Sequence, residues 1–201
     1  MNSGQPRPAF TILLLLSVLS LAESPANQVQ LKPAERREVN IRIEDFSLTD
    51  QNSRLFKFNV LKGCVVVVAF AYTTCPDVCP LITAALRQVQ KSLTEANRNN
   101  VRLLMITTDP EIDSPKVLAA YAKRHGAELN TWSFLTGDEP TLKKIWQNFG
   151  VGVKRRARGL IDHTPLTAIV DRRGVLRFAY IGASPDVKLV LKDLRFLLAE
   201  P

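Results

Sequence analysis

Cysteine is scarce in this 201-residue chain, with only Cys64, Cys75 and Cys79 present. Three residues cannot staple a small disulfide scaffold, so that class is excluded. Histidine is scarcer, limited to His125 and His163. No internal repeat or low-complexity tract runs through the sequence, which excludes collagen-like arrays. No coiled-coil heptad calls for an oligomer, and a monomer is expected. Aromatic residues make up 7% and are not interleaved with the basic ones, so no nucleic-acid surface is expected. What remains is ordinary for a globular protein: 46% apolar, 23% charged and a formal charge of +8. A disordered tail protein is thereby excluded.

Residues 1–22 carry one charged side chain, Arg7, and an apolar run from Ala9 to Leu21. The run is short for a bilayer span, which takes roughly 20 residues, and suits a signal-peptide core. Ser20 and Ala22 supply the small residues of a cleavage site, with Ser24 and Ala26 as a second pair. No cysteine follows, so a lipoprotein anchor is excluded. The expectation is export to a bacterial periplasm, with an uncleaved inner-membrane tether as the alternative. Residues 23–38 read as a mobile, polar arm and residues 39–201 as one compact domain.

Within that domain, Val39 to Glu44 alternates apolar and polar, as a half-buried strand does. Cys64 to Tyr72 is a β-branched apolar block without alternation, the pattern of a central strand covered on both faces. Residues 81–97 place Ile82, Ala85, Leu86, Val89 and Leu93 at helical spacing. A second buried strand follows at Val101 to Thr107. Ser114-Pro115 reads as a cap followed by proline in the first turn of a helix ending near Gly126. Trp132 to Leu135 reads as a strand, Asp138 to Phe149 as a helix, and Ser184-Pro185 as the start of a last helix. Residues 167–171 and 175–180 flank Arg172-Arg173-Gly174, a β-hairpin signature. βαβ units followed by a hairpin and a terminal helix give an α/β, thioredoxin-like order with a central mixed sheet flanked by helices.

Cys75 and Cys79 lie in Thr73-Thr74-Cys75-Pro76-Asp77-Val78-Cys79-Pro80, between the central strand and the first helix. Either a turn or one helical step can bring both sulfurs to one side. The helix N-terminus favours thiolates there. Such a pair closes to a disulfide or holds a soft metal; an inert local disulfide is the bland alternative. His125 ends a helix in Lys-Arg-His-Gly and reads as a surface residue. His163 precedes the hairpin strand expected beside the cysteine loop, which makes it the third candidate ligand. Two thiolates favour Cu(I), and imidazole accommodates either copper oxidation state. Structural zinc asks for a fourth protein ligand, and none presents itself.

These residues resemble the Sco/SenC family of copper-binding, thioredoxin-like proteins that assemble cytochrome c oxidase. Val65 to Pro80 is similar to the family's apolar strand followed by Tyr-Thr-x-Cys-Pro-Asp-x-Cys-Pro. Thr107 to Pro115 is similar to its Asp-Pro-x-x-Asp-Thr-Pro segment, and Leu135-Thr136-Gly137 and Asp162-His163-Thr164 match as well. The resemblance covers the chain from about Ile41 onwards. It implies copper on Cys75, Cys79 and His163, and a Cys75–Cys79 pair that cycles between dithiol and disulfide. It also implies a copper-receiving subunit of the oxidase as partner, with another exported copper chaperone or thiol reductase as a further one. Gly63-Cys64 stands where Gly-Lys is usual, Pro165 follows the His-Thr pair, and the Gly-containing turn expected ahead of Leu61 is missing.

Around the ligands, Asp77 and Asp162 are candidates for orienting them from behind, or else solvated turn carboxylates. Cys64 reads as a small core residue. Lys154, Arg155, Arg156 and Arg158 are a solvated loop or a docking patch for an acidic partner. Asp109 and Glu111 read as loop and cap residues. Two functions follow: a copper metallochaperone, or a thiol–disulfide oxidoreductase that keeps the oxidase copper-site cysteines reduced. A copper or redox sensor is a third. No Pro-x-x-x-Thr-x-x-Cys precedes Cys75, which argues against a peroxidase.

Overall fold

The computed structural model describes Met1 and residues 33–200. The chain divides into two units, residues 1–30 and 31–201, and the second carries the fold. The expected signal segment and most of the expected arm lie outside the described residues. Among the described residues, no helix is long and apolar enough to cross a membrane.

In chain order, β1 (Glu35–Arg42) is followed by β2 (Ser47–Asp50), β3 (Leu55–Lys57) and a 3-10 turn. Then come β4 (Val65–Ala71), α1 (Val78–Ser92), the single turn α2 (Glu95–Arg98) and β5 (Val101–Thr107). After α3 (Pro115–Arg124), β6 (Trp132–Thr136) and α4 (Glu139–Asn148) stand two short strands, β7 (Val153–Arg155) and β8 (Ile161–His163). The hairpin β9 (Leu166–Val170) and β10 (Val175–Ile181) and the helix α5 (Val187–Ala199) complete the chain.

Eight strands form one sheet in the order β1-β10-β9-β4-β5-β6-β2-β3. β4, β5 and β6 run parallel, and the other pairs are antiparallel. This is the expected thioredoxin-like mixed sheet. Every residue of β4 is buried because its pleat feeds two cores. Val65, Val67, Ala69 and Ala71 meet Ile82, Leu86 and Val89 of α1, Leu118 of α3 and Leu194 of α5. Val66, Val68 and Phe70 meet Leu142, Ile145 and Trp146 of α4. Side-chain alternation across a strand makes this possible, and each large apolar group so buried contributes about 1.5–3 kcal/mol.

Three boundaries differ from expectation. β1 begins at Glu35, so residues 35–38 of the expected arm are an edge strand. Their charged side chains hide the pattern, but their backbone pairs with β10 from Glu35↔Ile181 onwards. The helix expected over residues 81–97 starts earlier and breaks at Leu93 and Thr94. Both take extended backbone, and Thr94 becomes the cap position of α2. The last helix is capped by Asp186 rather than Ser184: its carboxylate accepts from the backbone N–H groups of Lys188 and Leu189. The Ser184 carbonyl accepts from the N–H of Ala34.

Topology positions the site. β4 and β9 are antiparallel neighbours with Ala69 opposite Thr167. The loop leaving β4 and the segment entering β9 therefore emerge at the same end of the sheet. The first carries Cys75, and the second carries His163.

Candidate metal centre

Cys79 sits in the first turn of α1 and is fully buried; Cys75, in the loop before it, is 9% exposed. Both are free thiols in this structure, which is thus the dithiol form. They are not equivalent. Around Cys75 lie the Cys79 thiol, the backbone N–H groups of Asp77 and Cys79 and the Tyr72 hydroxyl. These donors outweigh burial and pull the Cys75 thiol down to about 6. Cys79, beside that sulfur and buried deeper, is pushed up strongly.

His163 ends β8 and points its Nε2 at Cys79 Sγ, 3.7 Å away. Its Nδ1 lies 3.1 Å from the Thr164 carbonyl. A carbonyl can only accept, so Nδ1 carries the proton and Nε2 of the neutral ring presents a bare lone pair. Burial lowers the imidazole pKa and keeps the ring neutral. The Thr164–Pro165 peptide is trans, as are all described peptide bonds.

This donor set suits a soft first-row cation. Bonds of about 2.0 Å to nitrogen and 2.3 Å to sulfur, meeting near 120°, separate the two donors by roughly 3.7 Å. The Nε2–Sγ distance is close to that span. Among the described residues, no three His, Cys, Asp or Glu side chains are already gathered at metal-holding distance. A cation shared by all three would require Cys75 to close in on the other two. It has room, because Tyr72, Cys75, Pro76, Val78, Leu160, Ile161, His163 and Pro165 line one open cleft of about 360 Å³. A larger cavity of about 580 Å³ lies between β1 and α5 and touches none of the three.

Asp77 and Asp162, the candidate orienting carboxylates, line the same cleft. Asp162 turns its carboxylate to Arg156 and lies close enough to His163 to act on its charge, and the Thr164 carbonyl accepts from the imidazole. Asp77 is exposed and contributes its backbone N–H, while its carboxylate caps nothing. The basic cluster is partly spent internally: Arg155 pairs with Asp109 at 2.7 Å and Glu111 at 3.2 Å, and Arg156 with Asp162. Lys154 is exposed; the Arg158 side chain lies outside the described residues. Cys64 sits half-buried before the opposite end of β4, beside the Asn99 carbonyl. His125 is half-buried with its ring on Tyr121.

Sequence reasoning missed Asp113, fully buried, whose carboxylate accepts from the Thr73 N–H, the Thr73 hydroxyl and the Thr107 hydroxyl. It ties the cysteine loop to the end of β5. The one hint is the acidic residue beside Ser114-Pro115, which reads as a cap.

Residues 34–198 match the model of the SCO1/SenC family. The chain belongs to that family. An SCO2-like protein of Rickettsia typhi is 31% identical over 194 residues, covering 92% of this chain and 90% of its own. A SCO1/SenC family lipoprotein of Bacillus anthracis superposes with a TM-score of 0.74 at 27% identity, covering 81% of this chain and 98% of that one. ScoI of Bradyrhizobium japonicum, solved with copper bound, is 28% identical with a TM-score of 0.62 over 78% of this chain and 99% of its own. The SCO1/SenC match thus spans both the cysteine loop and the His163 hairpin.

Proposed function

We propose that this SCO1/SenC protein is a copper metallochaperone. It takes copper as cargo on Cys75, Cys79 and His163 and delivers it to the dinuclear copper centre of cytochrome c oxidase during assembly. The observation that carries this reading is the bare Nε2 of His163 facing Cys79 Sγ at 3.7 Å, on the cleft that Cys75 lines. Two thiolates make the site selective for Cu(I). Burial grades the donors: Cys79 is inaccessible, whereas Cys75 and His163 line the open cleft. An incoming thiol or imidazole of the client displaces those two first, so the cargo leaves by stepwise ligand exchange. The domain works outside the cytoplasm, in the bacterial periplasm, free or held by its apolar N-terminal segment.

The asymmetry of the thiols supports a second reading, reduction of a client disulfide. The Cys75 thiolate attacks the client disulfide, and a mixed disulfide forms as one client thiolate leaves. Cys79 then loses its proton and attacks the Cys75 sulfur, releasing the second client thiolate. The chain ends as a Cys75–Cys79 disulfide, and a thiol reductase must restore it.

A two-part assay separates the readings. Protein loaded with one Cu(I) is mixed with a copper-free oxidase domain carrying the dinuclear site, and the site's absorption is followed; reduction of the same domain's disulfide is measured separately. The chaperone reading expects His163→Ala to lose transfer yet keep disulfide reduction, and Cys75→Ser to lose both. Full transfer by His163→Ala overturns it. Reduction without any transfer by the unaltered protein favours the second reading.

A further inference from the structure

β7 and β8 pair only with each other and form a two-stranded sheet apart from the eight-stranded one. His163 is the last residue of β8, so its place over the thiols depends on what holds this hairpin down. On the β7 side the tether is Arg155, paired with buried Asp109. On the β8 side the Ile161 side chain enters the core and the Thr164 N–H bonds the Gly152 carbonyl, and the Ile161 backbone N–H is held by Tyr72, the residue after β4.

Tyr72 is 3% exposed and touches every part of the site. Its carbonyl accepts from the N–H of Cys75 at 3.3 Å. Its hydroxyl accepts from the N–H of Ile161 at 3.3 Å. Its ring meets the His163 imidazole edge-on, with centroids 6.0 Å apart and planes at 77°. Ile161 and His163 are two residues apart in one strand, so their side chains share a face and move together. Fixing the Ile161 amide therefore fixes the imidazole.

We infer that Tyr72 is a positioning residue for His163: its hydroxyl holds β8 against the cysteine loop and so sets the distance from the imidazole to the two sulfurs. The inference rests on the copper reading and deepens it. A phenylalanine would keep the ring contact and the packing. It would leave the Ile161 N–H without its acceptor and take the hydroxyl from beside the Cys75 sulfur, while Arg155 still holds β7.

The test is Tyr72→Phe in the full chain, read in two ways. In the metal-free dithiol protein, hydrogen exchange at the Ile161 amide is expected to speed up tenfold or more, with the melting temperature lowered by roughly 2–12 °C. Cu(I) affinity is then measured in a cycle with His163→Ala. One net hydrogen bond corresponds to about a 2- to 12-fold change in affinity. Loss in that range is expected with His163 present, and a smaller loss, that of the sulfur contact alone, in the His163→Ala background. Equal losses in both backgrounds overturn the inference, because the hydroxyl then acts through sulfur or the fold alone. Unchanged Ile161 exchange overturns it as well. If His163→Ala by itself leaves Cu(I) affinity untouched, the copper reading fails and takes the inference with it, a result distinct from the other two.

Discussion

Removing the Asp113 carboxylate should loosen the cysteine loop more than any other single change outside the ligands. The side chain is fully buried and accepts from three donors: the Thr73 N–H at 3.2 Å, the Thr73 hydroxyl, and the Thr107 hydroxyl at 2.6 Å. A buried donor left unsatisfied costs about 1–3 kcal/mol. The two hydroxyls can turn towards other acceptors, and removing a buried charge gives back part of its desolvation. The net loss expected for Asp113→Ala is therefore about 2–4 kcal/mol, read by urea unfolding at neutral pH. In a domain of this size that lowers the melting temperature by roughly 4–16 °C. Asp113→Asn keeps one acceptor oxygen and should lose about half as much. Burial raises the Asp113 pKa, outweighing the hydrogen bonds from Thr107 and Thr73. The folded state thus holds this proton more tightly than the unfolded chain does. That contribution is complete below the unfolded carboxylate value and disappears as pH rises through the folded one. The advantage of the unaltered protein over Asp113→Asn should accordingly shrink across that window as pH rises. A loss below about 1 kcal/mol for Asp113→Ala would refute the reasoning, since unsatisfied buried donors cost at least that much.

Alkylation of the metal-free dithiol should strike Cys75 first, with a pH midpoint near the value of about 6 to which its donors pull it; mass mapping that found Cys79 leading, or a midpoint above 8, would contradict the assignment. Arg36 grips Asp193 with two bonds, at 2.7 and 3.0 Å, and Asp193 is only 4% exposed. Arg36→Met leaves that carboxylate buried with the Tyr180 hydroxyl as its remaining donor and should cost about 2–4 kcal/mol in urea unfolding, slightly discounted because the arginine is part-exposed. Gly182 has φ +142°, and a Cβ there would sit 2.8 Å from Ala34 Cα. Gly182→Ala should cost about 1–3 kcal/mol and speed amide exchange at the start of β1; unchanged exchange there would mean the backbone absorbs the methyl.

Elements that announce themselves by local chemistry were legible. The unbroken apolar run of β4 requires cover on both faces, and both cores are there. Ser114 caps α3 with Pro115 in its first turn, as that dipeptide predicts. Ser184-Pro185 repeats the dipeptide but misleads, because Asp186 two residues later offers the better acceptor. The strands β2, β3, β7 and β8, three or four residues long, are too short to show a period. The two thiols and His163 were legible because their residue types are rare in this chain and their spacing is distinctive. Tyr72, Asp113 and the Arg155–Asp109 pair were not. Their importance comes from partners 40 to 89 residues away, which only folding brings together. The basic cluster shows the same limit in reverse: its charges look free in sequence and are partly matched in space.

The most direct measurement is titration of the reduced full chain with Cu(I) against a competing chelator, with and without His163→Ala. The account predicts one tightly held copper per chain, loss of that tight binding in the variant, and unchanged total thiol content in both. Tight one-to-one binding that survives His163→Ala would contradict the three-ligand site on which the account stands.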